Sequence, residues 1–139
     1  MSARLALLLV SLGLLAAPAA ASAATKNGIT PLSPKAGSSV PARQAVTFKL
    51  RKKGAGKVFV HVCKSKKKHA DGRICHKADI GQARKRGGVF RYKAKFYDFP
   101  AFWMNNPGTY YWQAYRIACE GGDLSDCYQE GPVVKFRVA

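Results

Sequence analysis

The residues most able to do chemistry are a cluster of cations in one polar segment: Lys64, Lys66, Lys67, Lys68 and Arg73. Lysine is a compact point charge that binds phosphate or sulfate groups with little demand on geometry. The cluster therefore predicts a site for an anionic polymer or surface. The alternative is a solvated loop that only keeps the chain soluble.

A second group of cations lies beside glycine-rich turns. Its members are Arg51, Lys52, Lys53, Arg84, Lys85 and Arg86. The whole chain has 24 Lys and Arg against seven Asp and Glu, a formal net charge of +17. This excess is larger than solubility requires, and it attracts anionic surfaces. We expect both groups to bind a polysaccharide, a wall polymer or a nucleic acid.

Catalytic motifs are missing from the sequence. It contains no Gly-x-Ser-x-Gly elbow, no His-Glu-x-x-His pair and no glycine loop that would hold a phosphate at a strand–helix junction. Asp123 and Asp126 are close in sequence, but two carboxylates in a polar loop are usually just solvated. We expect a protein that is not an enzyme and that uses no cofactor and no metal.

Four cysteines in a small exported chain predict two disulfides. The spacing favours local pairing, Cys63 with Cys75 and Cys119 with Cys127, and each bond would close a polar loop. Closures this short contribute about 2–3 kcal/mol each in the chain-entropy model. A zinc site made by His61, Cys63, Cys75 and His76 is the weaker alternative, because the export signal favours disulfides.

The N-terminal residues 1–24 are typical of a signal peptide. An apolar run over 5–17 follows a positive residue, and small residues precede cleavage after Ala23 or Ala24. The run is shorter than the roughly 20 residues that span a bilayer. We expect residues 25–139 to form one secreted, monomeric, extracellular domain without a transmembrane segment.

The elements that must position the cations are strands, since apolar residues recur at every second position. Val46, Phe48 and Leu50 define one strand, Val58, Val60 and Val62 another, and Phe90, Tyr92, Ala94 and Phe96 a third. Polar segments 51–56, 64–72, 81–88 and 120–131 are predicted loops. About seven short strands separated by turns predict an antiparallel β-sandwich.

A long aromatic strand follows the turn at Pro107. Tyr110, Trp112 and Ala114 fall on one face, and Tyr111, Gln113 and Tyr115 fall on the other. We expect the first face to be buried. Tyr111 and Tyr115 are minor candidates for stacking on sugars or bases.

The segment Pro107-Gly-Thr-Tyr-Tyr-Trp resembles the start of the sixth strand in immunoglobulin-like and fibronectin type III domains. In those families a tyrosine after such a turn forms the tyrosine corner, and here Tyr110 or Tyr111 is that residue. The resemblance implies a seven-stranded antiparallel sandwich and a binding function, without naming an activity. The chain differs from antibody-type domains, because no cysteine pair is spaced to join the sheets.

In that topology the loops 51–56, 81–88 and 120–131 share one end of the sandwich, and 64–72 lies at the other. The acids of 120–131 would face the basic loops at their end. The lysine loop is therefore predicted to be the more exposed anion site. The resulting hypothesis is a binding module that attaches electrostatically to anionic polymers or a cell surface. The alternative is a structural module that docks another extracellular protein through an edge strand or aromatic face.

Overall fold

The computed structural model describes residues 23–68, 70, 74, 79–94, 106–119 and 127–139. These residues form eight strands: β1 (Ile29–Ser33), β2 (Ser39–Val40), β3 (Val46–Lys52), β4 (Lys57–Cys63), β5 (Asp79–Arg86), β6 (Val89–Ala94), β7 (Gly108–Ile117) and β8 (Tyr128–Val138). Within these described ranges, no helix has the length and apolar character needed to cross a membrane. The predicted signal peptide lies almost wholly outside them.

The strands form one sheet in the order β1-β3-β6-β5-β4-β7-β8-β2. All neighbours are antiparallel except β2 and β8, which are parallel. Strand β5 joins the two halves of the sheet, because its first part pairs with β4 and its last part with β6. The all-β class is therefore confirmed, but the chain has eight strands in one mixed, curled sheet where seven antiparallel strands were expected.

The sheet curls so that its two halves enclose one core. Phe48 of β3 contacts Trp112 of β7, with 5.4 Å between the ring centroids, and Phe136 of β8, with 6.0 Å. Strand β3 is not a neighbour of β7 or β8 in the sheet, so these contacts must cross between the halves. The inward residues follow the period of two that the sequence predicts. Leu50 and Val60 are buried, while Phe90 and Tyr92 of β6 are partly buried against the core.

Strand β5 corrects the prediction of a loop over 81–88. The strand continues to Arg86, and only the turn Gly87–Gly88 separates it from β6. Both glycines have positive φ, 57° and 76°, as tight hairpin turns require. The strand was missed because its inward residues, Gly81 and Ala83, are small: the ring of Tyr92 occupies the space that a Cβ at Gly81 would need.

The second face of β7 is also covered, which the sequence did not predict. Gln113 and Tyr115 are 2% and 4% exposed. Tyr115 packs against His61, Phe59 and Tyr128, with centroid distances of 4.5, 5.5 and 5.4 Å. The expectation that Tyr115 offers a binding surface is therefore wrong, because its ring belongs to a small buried layer on the outer side of β4, β7 and β8.

The amide side chain of Gln113 anchors this layer. Its Nε2 donates to the carbonyl of Gly131 (2.9 Å), and its Oε1 accepts from the backbone N–H of Ile74 (3.3 Å). Ile74 is itself buried. Ile74 therefore lies against the outer side of β7, instead of beyond the strand ends.

One end of the sheet carries the turn 53–56, the turn Gly87–Gly88 and the pair Cys119–Cys127, as expected from the alternation of strand direction. The disulfide between Cys119 and Cys127 confirms one predicted pairing (Cα–Cα 5.2 Å). Cys63 is also disulfide-bonded, but its predicted partner Cys75 lies outside the described residues. The predicted loop 120–131 is shorter than expected, since β8 already begins at Tyr128.

Candidate anion-binding face

The lysine cluster is exposed where it is described. Lys64, Lys66, Lys67 and Lys68 follow β4 at the end opposite the Gly87–Gly88 turn, while Arg73 lies outside the described residues. The Nζ of Lys64 lies 5.7 Å from the centroid of the Tyr110 ring, a cation–π contact. The cluster therefore remains a candidate, with one lysine partly committed to the protein.

Glu130 modifies the electrostatics beside this cluster. Partial burial alone would raise the pKa of its carboxyl, but a hydrogen bond from Lys26 Nζ (2.7 Å) and the charges of Lys26 and Lys68 lower that pKa overall. Lys68 is therefore close enough to an acid to be partly neutralised. This differs from the expectation that the lysine loop has no acid nearby.

The cations at the end of β3 do not act alike. Arg51 and Lys53 are exposed, whereas Lys52 is half-buried. The Nζ of Lys52 donates to the carbonyl of Gly56 and lies 5.3 Å from the centroid of the Phe90 ring. Burial lowers the pKa of Lys52, and the charges of Arg116 and Lys85 lower it further. Lys52 therefore stabilises the 53–56 turn, and it is a poor candidate for ligand binding.

Arg116 of β7 binds the same turn, a role that was not predicted from the sequence. Its guanidinium donates to the carbonyl of Ala55 (3.2 Å) and to Oε1 of Gln129. A Cβ at Gly54 would collide with the guanidinium, so the glycine is needed for this approach. Two cations, Arg116 and Lys52, thus serve structure at this end of the sheet.

The predicted cations of β5 separate onto two faces. Ala83 is buried, so Arg84 and Arg86 point to the outer side of the sheet, and Lys85 lies opposite Phe90 on the other side. All three side chains are exposed. The structure thus assigns Arg84 and Arg86, but not Lys85, to one continuous outer surface.

That surface extends over β3 and β6 and includes residues that were not predicted as site residues. We define the cationic face as the outward basic residues of β3, β6 and β5: Lys49, Arg51, Arg84, Arg86, Arg91 and Lys93. The pairing register places Lys49 opposite Arg91, and Arg91 opposite Arg84. A row of three cations therefore crosses three adjacent strands.

The dimensions of the face follow from strand geometry. Adjacent strands are about 4.8 Å apart, so the row from Lys49 to Arg84 spans roughly 10 Å, and residues two apart along a strand are separated by about 6.8 Å. Arg51 and Arg86 lie one such step towards the Gly87–Gly88 turn, and Lys93 lies one step away from it. The face can therefore contact several anionic groups of one polymer at once.

Acids are missing from the paired stretches of the strands that build this face. Strands β3 and β6 and the stretch 81–86 of β5 contain no Asp or Glu. Like charges directly opposite in a sheet destabilise it. Within these stretches, no acid neutralises the positive potential of the face.

Sequence patterning did contain the signal for this face. The alternation in β3 and β6 places Lys49, Arg91 and Lys93 outward, opposite the apolar residues. What the sequence lacks is the register, which alone brings residues 49, 84 and 91 together.

Comparison with known proteins gives no assignment. No protein-family model matches the chain, and a search of curated proteins finds no match either. The function must therefore be argued from the geometry and charge of the site.

Proposed function

We propose that this chain is a secreted, non-catalytic binding module that attaches to anionic polymers or cell surfaces through the cationic face. One observation carries the proposal: six basic side chains lie on one side of three adjacent strands that contain no acid in the paired region. Such a face attracts polyanions by charge and by release of their counterions.

The proposed architecture is an immunoglobulin-like or fibronectin type III-like β-sandwich. Its support is the tyrosine-corner hydrogen bond, in which the buried Tyr110 hydroxyl donates to the carbonyl of Asn106 (2.8 Å). Burial raises the pKa of this hydroxyl, so it stays protonated as a donor. The strand order adds support. Strand β5 joins two packed halves, and β2 forms one edge of the sheet by pairing with β8. Domains of this architecture commonly bind through exposed surfaces.

The stability of the sheet also argues for a ligand. The pairing register places Arg91 opposite Lys49 and opposite Arg84, so like charges face each other twice in one row. Each such pair works against folding. Like charges at opposite positions of a sheet, with nothing in the fold to offset their repulsion, are expected at functional sites. A bound polyanion supplies the compensation.

Secretion is supported by two features. The Cys119–Cys127 disulfide is typical of oxidising compartments, and residues 1–24 have the pattern of a cleaved leader. Extracellular polymers are therefore the relevant ligands.

Retention on an anionic column tests the proposal. The face variant Lys49→Gln/Arg84→Gln/Arg91→Gln should elute at lower salt than the control Lys35→Gln/Lys135→Gln/Arg137→Gln, which removes the same charge from exposed residues elsewhere. Loss of three anion contacts should reduce the slope of log K against log salt by about 2–3. Equal effects of the two variants would show that only net charge matters, and would refute the face as the site.

A third variant, Lys66→Gln/Lys67→Gln/Lys68→Gln, compares the lysine cluster with the face. We expect a smaller effect than that of the face variant, because Lys68 is partly neutralised by Glu130. Docking of a protein partner through apolar area, the alternative function, should survive several hundred millimolar salt, whereas binding through phosphate-type contacts should not.

A further inference from the structure

The cationic face is richer in arginine than in lysine. Four of its six members, Arg51, Arg84, Arg86 and Arg91, are arginines, and all four are exposed. A guanidinium presents a planar fork of donors that matches oxoanions in a fixed geometry, whereas an ammonium is a point charge. The composition of the face therefore indicates which anionic group it selects, provided that the proposed polyanion binding holds.

Arg84 and Arg91 form the central pair of the face. They lie directly opposite each other on β5 and β6, so their Cα atoms are about 4.5–5.5 Å apart. Their side chains leave the same side of the sheet, and both are exposed. Two guanidinium groups can therefore converge on one anion.

The number of terminal oxygens decides which anion fits such a pair. A carboxylate has two oxygens, and one guanidinium fork binds both. A sulfate ester or a phosphate monoester has three terminal oxygens, so one fork leaves an oxygen for the second guanidinium. We infer that the Arg84–Arg91 pair selects sulfate or phosphate monoester groups on an extracellular polysaccharide.

Nucleic acid fits this pair less well. Its internal phosphates are diesters with two terminal oxygens, and single-stranded chains bind proteins through bases stacked on aromatic rings. The outward residues of the paired stretches of β3, β5 and β6 include no aromatic residue. The broad face of a multi-stranded sheet also does not enter the major groove of a duplex as a helix or a two-stranded ribbon does.

Dextrans that differ only in the anionic group test this inference. Dextran sulfate, dextran phosphate and carboxymethyl dextran of equal total charge are titrated against the full mature chain, together with a single-stranded DNA of matched charge. The sulfate or the phosphate polymer should bind about tenfold more tightly than carboxymethyl dextran, the factor that one additional charge-assisted hydrogen bond provides. The stronger of the two ester polymers identifies which ester the face prefers.

The variant Arg84→Lys/Arg91→Lys keeps the charge but removes both forks. It should still bind carboxymethyl dextran, while its preference for the ester polymer falls to about twofold or less, because lysine acts as a point charge. The control Arg43→Lys/Arg137→Lys, at exposed arginines elsewhere, should keep the full preference.

The outcomes separate the two proposals. Equal binding of ester and carboxylate polymers, an unchanged preference in Arg84→Lys/Arg91→Lys, or tightest binding to DNA would overturn the ester inference and leave polyanion binding intact. Failure to bind any of the four polymers at low salt would overturn both.

Discussion

Replacement of Arg91 by threonine should stabilise the fold while it weakens ligand binding. Arg91 is the middle cation of the row on the cationic face, with Lys49 opposite it on β3 and Arg84 opposite it on β5. The substitution removes both direct like-charge pairs. Lys49 and Arg84 then remain two strands apart, roughly 10 Å by strand spacing.

The magnitude can be worked from these pairs. Two unit charges 7 Å apart in water repel by about 0.6 kcal/mol, and directly opposite like charges in sheets are destabilising by roughly 0.2–1 kcal/mol. Removing two pairs should therefore raise the free energy of unfolding by about 1 kcal/mol at low salt. For a domain near 100 residues this corresponds to a rise in Tm of about 4 °C.

High ionic strength and threonine substitutions at other positions provide the controls for this gain in stability. At 1 M salt the Debye length is about 3 Å, so the gain from Arg91→Thr should largely vanish. Arg84→Thr, which removes one pair, should give about half the gain at low salt. Lys135→Thr removes an exposed cation that lies opposite Tyr111, and it controls for net charge and for the strand preference of threonine.

Urea unfolding at 20 mM and 1 M NaCl measures these differences, and titration with dextran sulfate measures binding. The reasoning is refuted if Arg91→Thr is no more stable than Lys135→Thr at low salt, or if its advantage is unchanged at 1 M. A variant that gains stability and keeps full affinity would show that the row is not part of the ligand site.

Two further predictions concern the scaffold. Tyr110→Phe removes the hydroxyl that donates to the carbonyl of Asn106, so it should lower the free energy of unfolding by about 1 kcal/mol. Tyr111→Phe, on the opposite face of β7, is the control. Equal losses in the two variants would refute the assignment of the tyrosine corner to Tyr110. Glu130 has a pKa below its ordinary value of 4.5, so its ionised form stabilises the fold above that pH, and this contribution is lost as pH falls through the lower folded-state pKa. Acid unfolding followed by circular dichroism should therefore be shallower below pH 4.5 in Glu130→Gln than in the unmodified chain, and identical profiles would contradict the pairing with Lys26.

The strands with strong alternation were predictable from the sequence. Strands β3, β4 and β7 lie where the pattern predicts them, because their inward residues are mainly large and apolar. Strand β5 was not predictable in this way, since Gly81 leaves room for a ring that comes from β6. The space on its inward side is occupied by the Tyr92 ring of β6, so β5 needs no large apolar residues at alternate positions and its sequence lacks the pattern of a strand.

The candidate site was predictable in its charge but not in its arrangement. The excess of cations and the outward positions of Lys49 and Arg91 follow from composition and alternation. Their direct opposition does not, because register depends on how distant strands pair. Lys52 shows the reverse case: its sequence context indicates an exposed cation, while the fold places it over Phe90.

The two outer sides of the curled sheet differ in a way that favours the cationic face as the ligand site. On β4, β7 and the first part of β8 the chain covers much of the outer side with its own residues, and Ile74, His61 and Tyr115 are each less than 5% exposed. The end of β8 carries exposed outward cations, Lys135 and Arg137. On β3, β6 and the paired end of β5 the outward side chains are mainly basic and mainly exposed. A chain that buries much of one outer side and leaves the other charged across three adjacent strands has a surface whose repulsion an external polyanion can relieve. Binding should therefore stabilise the fold against urea, and the stabilisation should be smaller in Arg91→Thr, where less repulsion remains to be relieved.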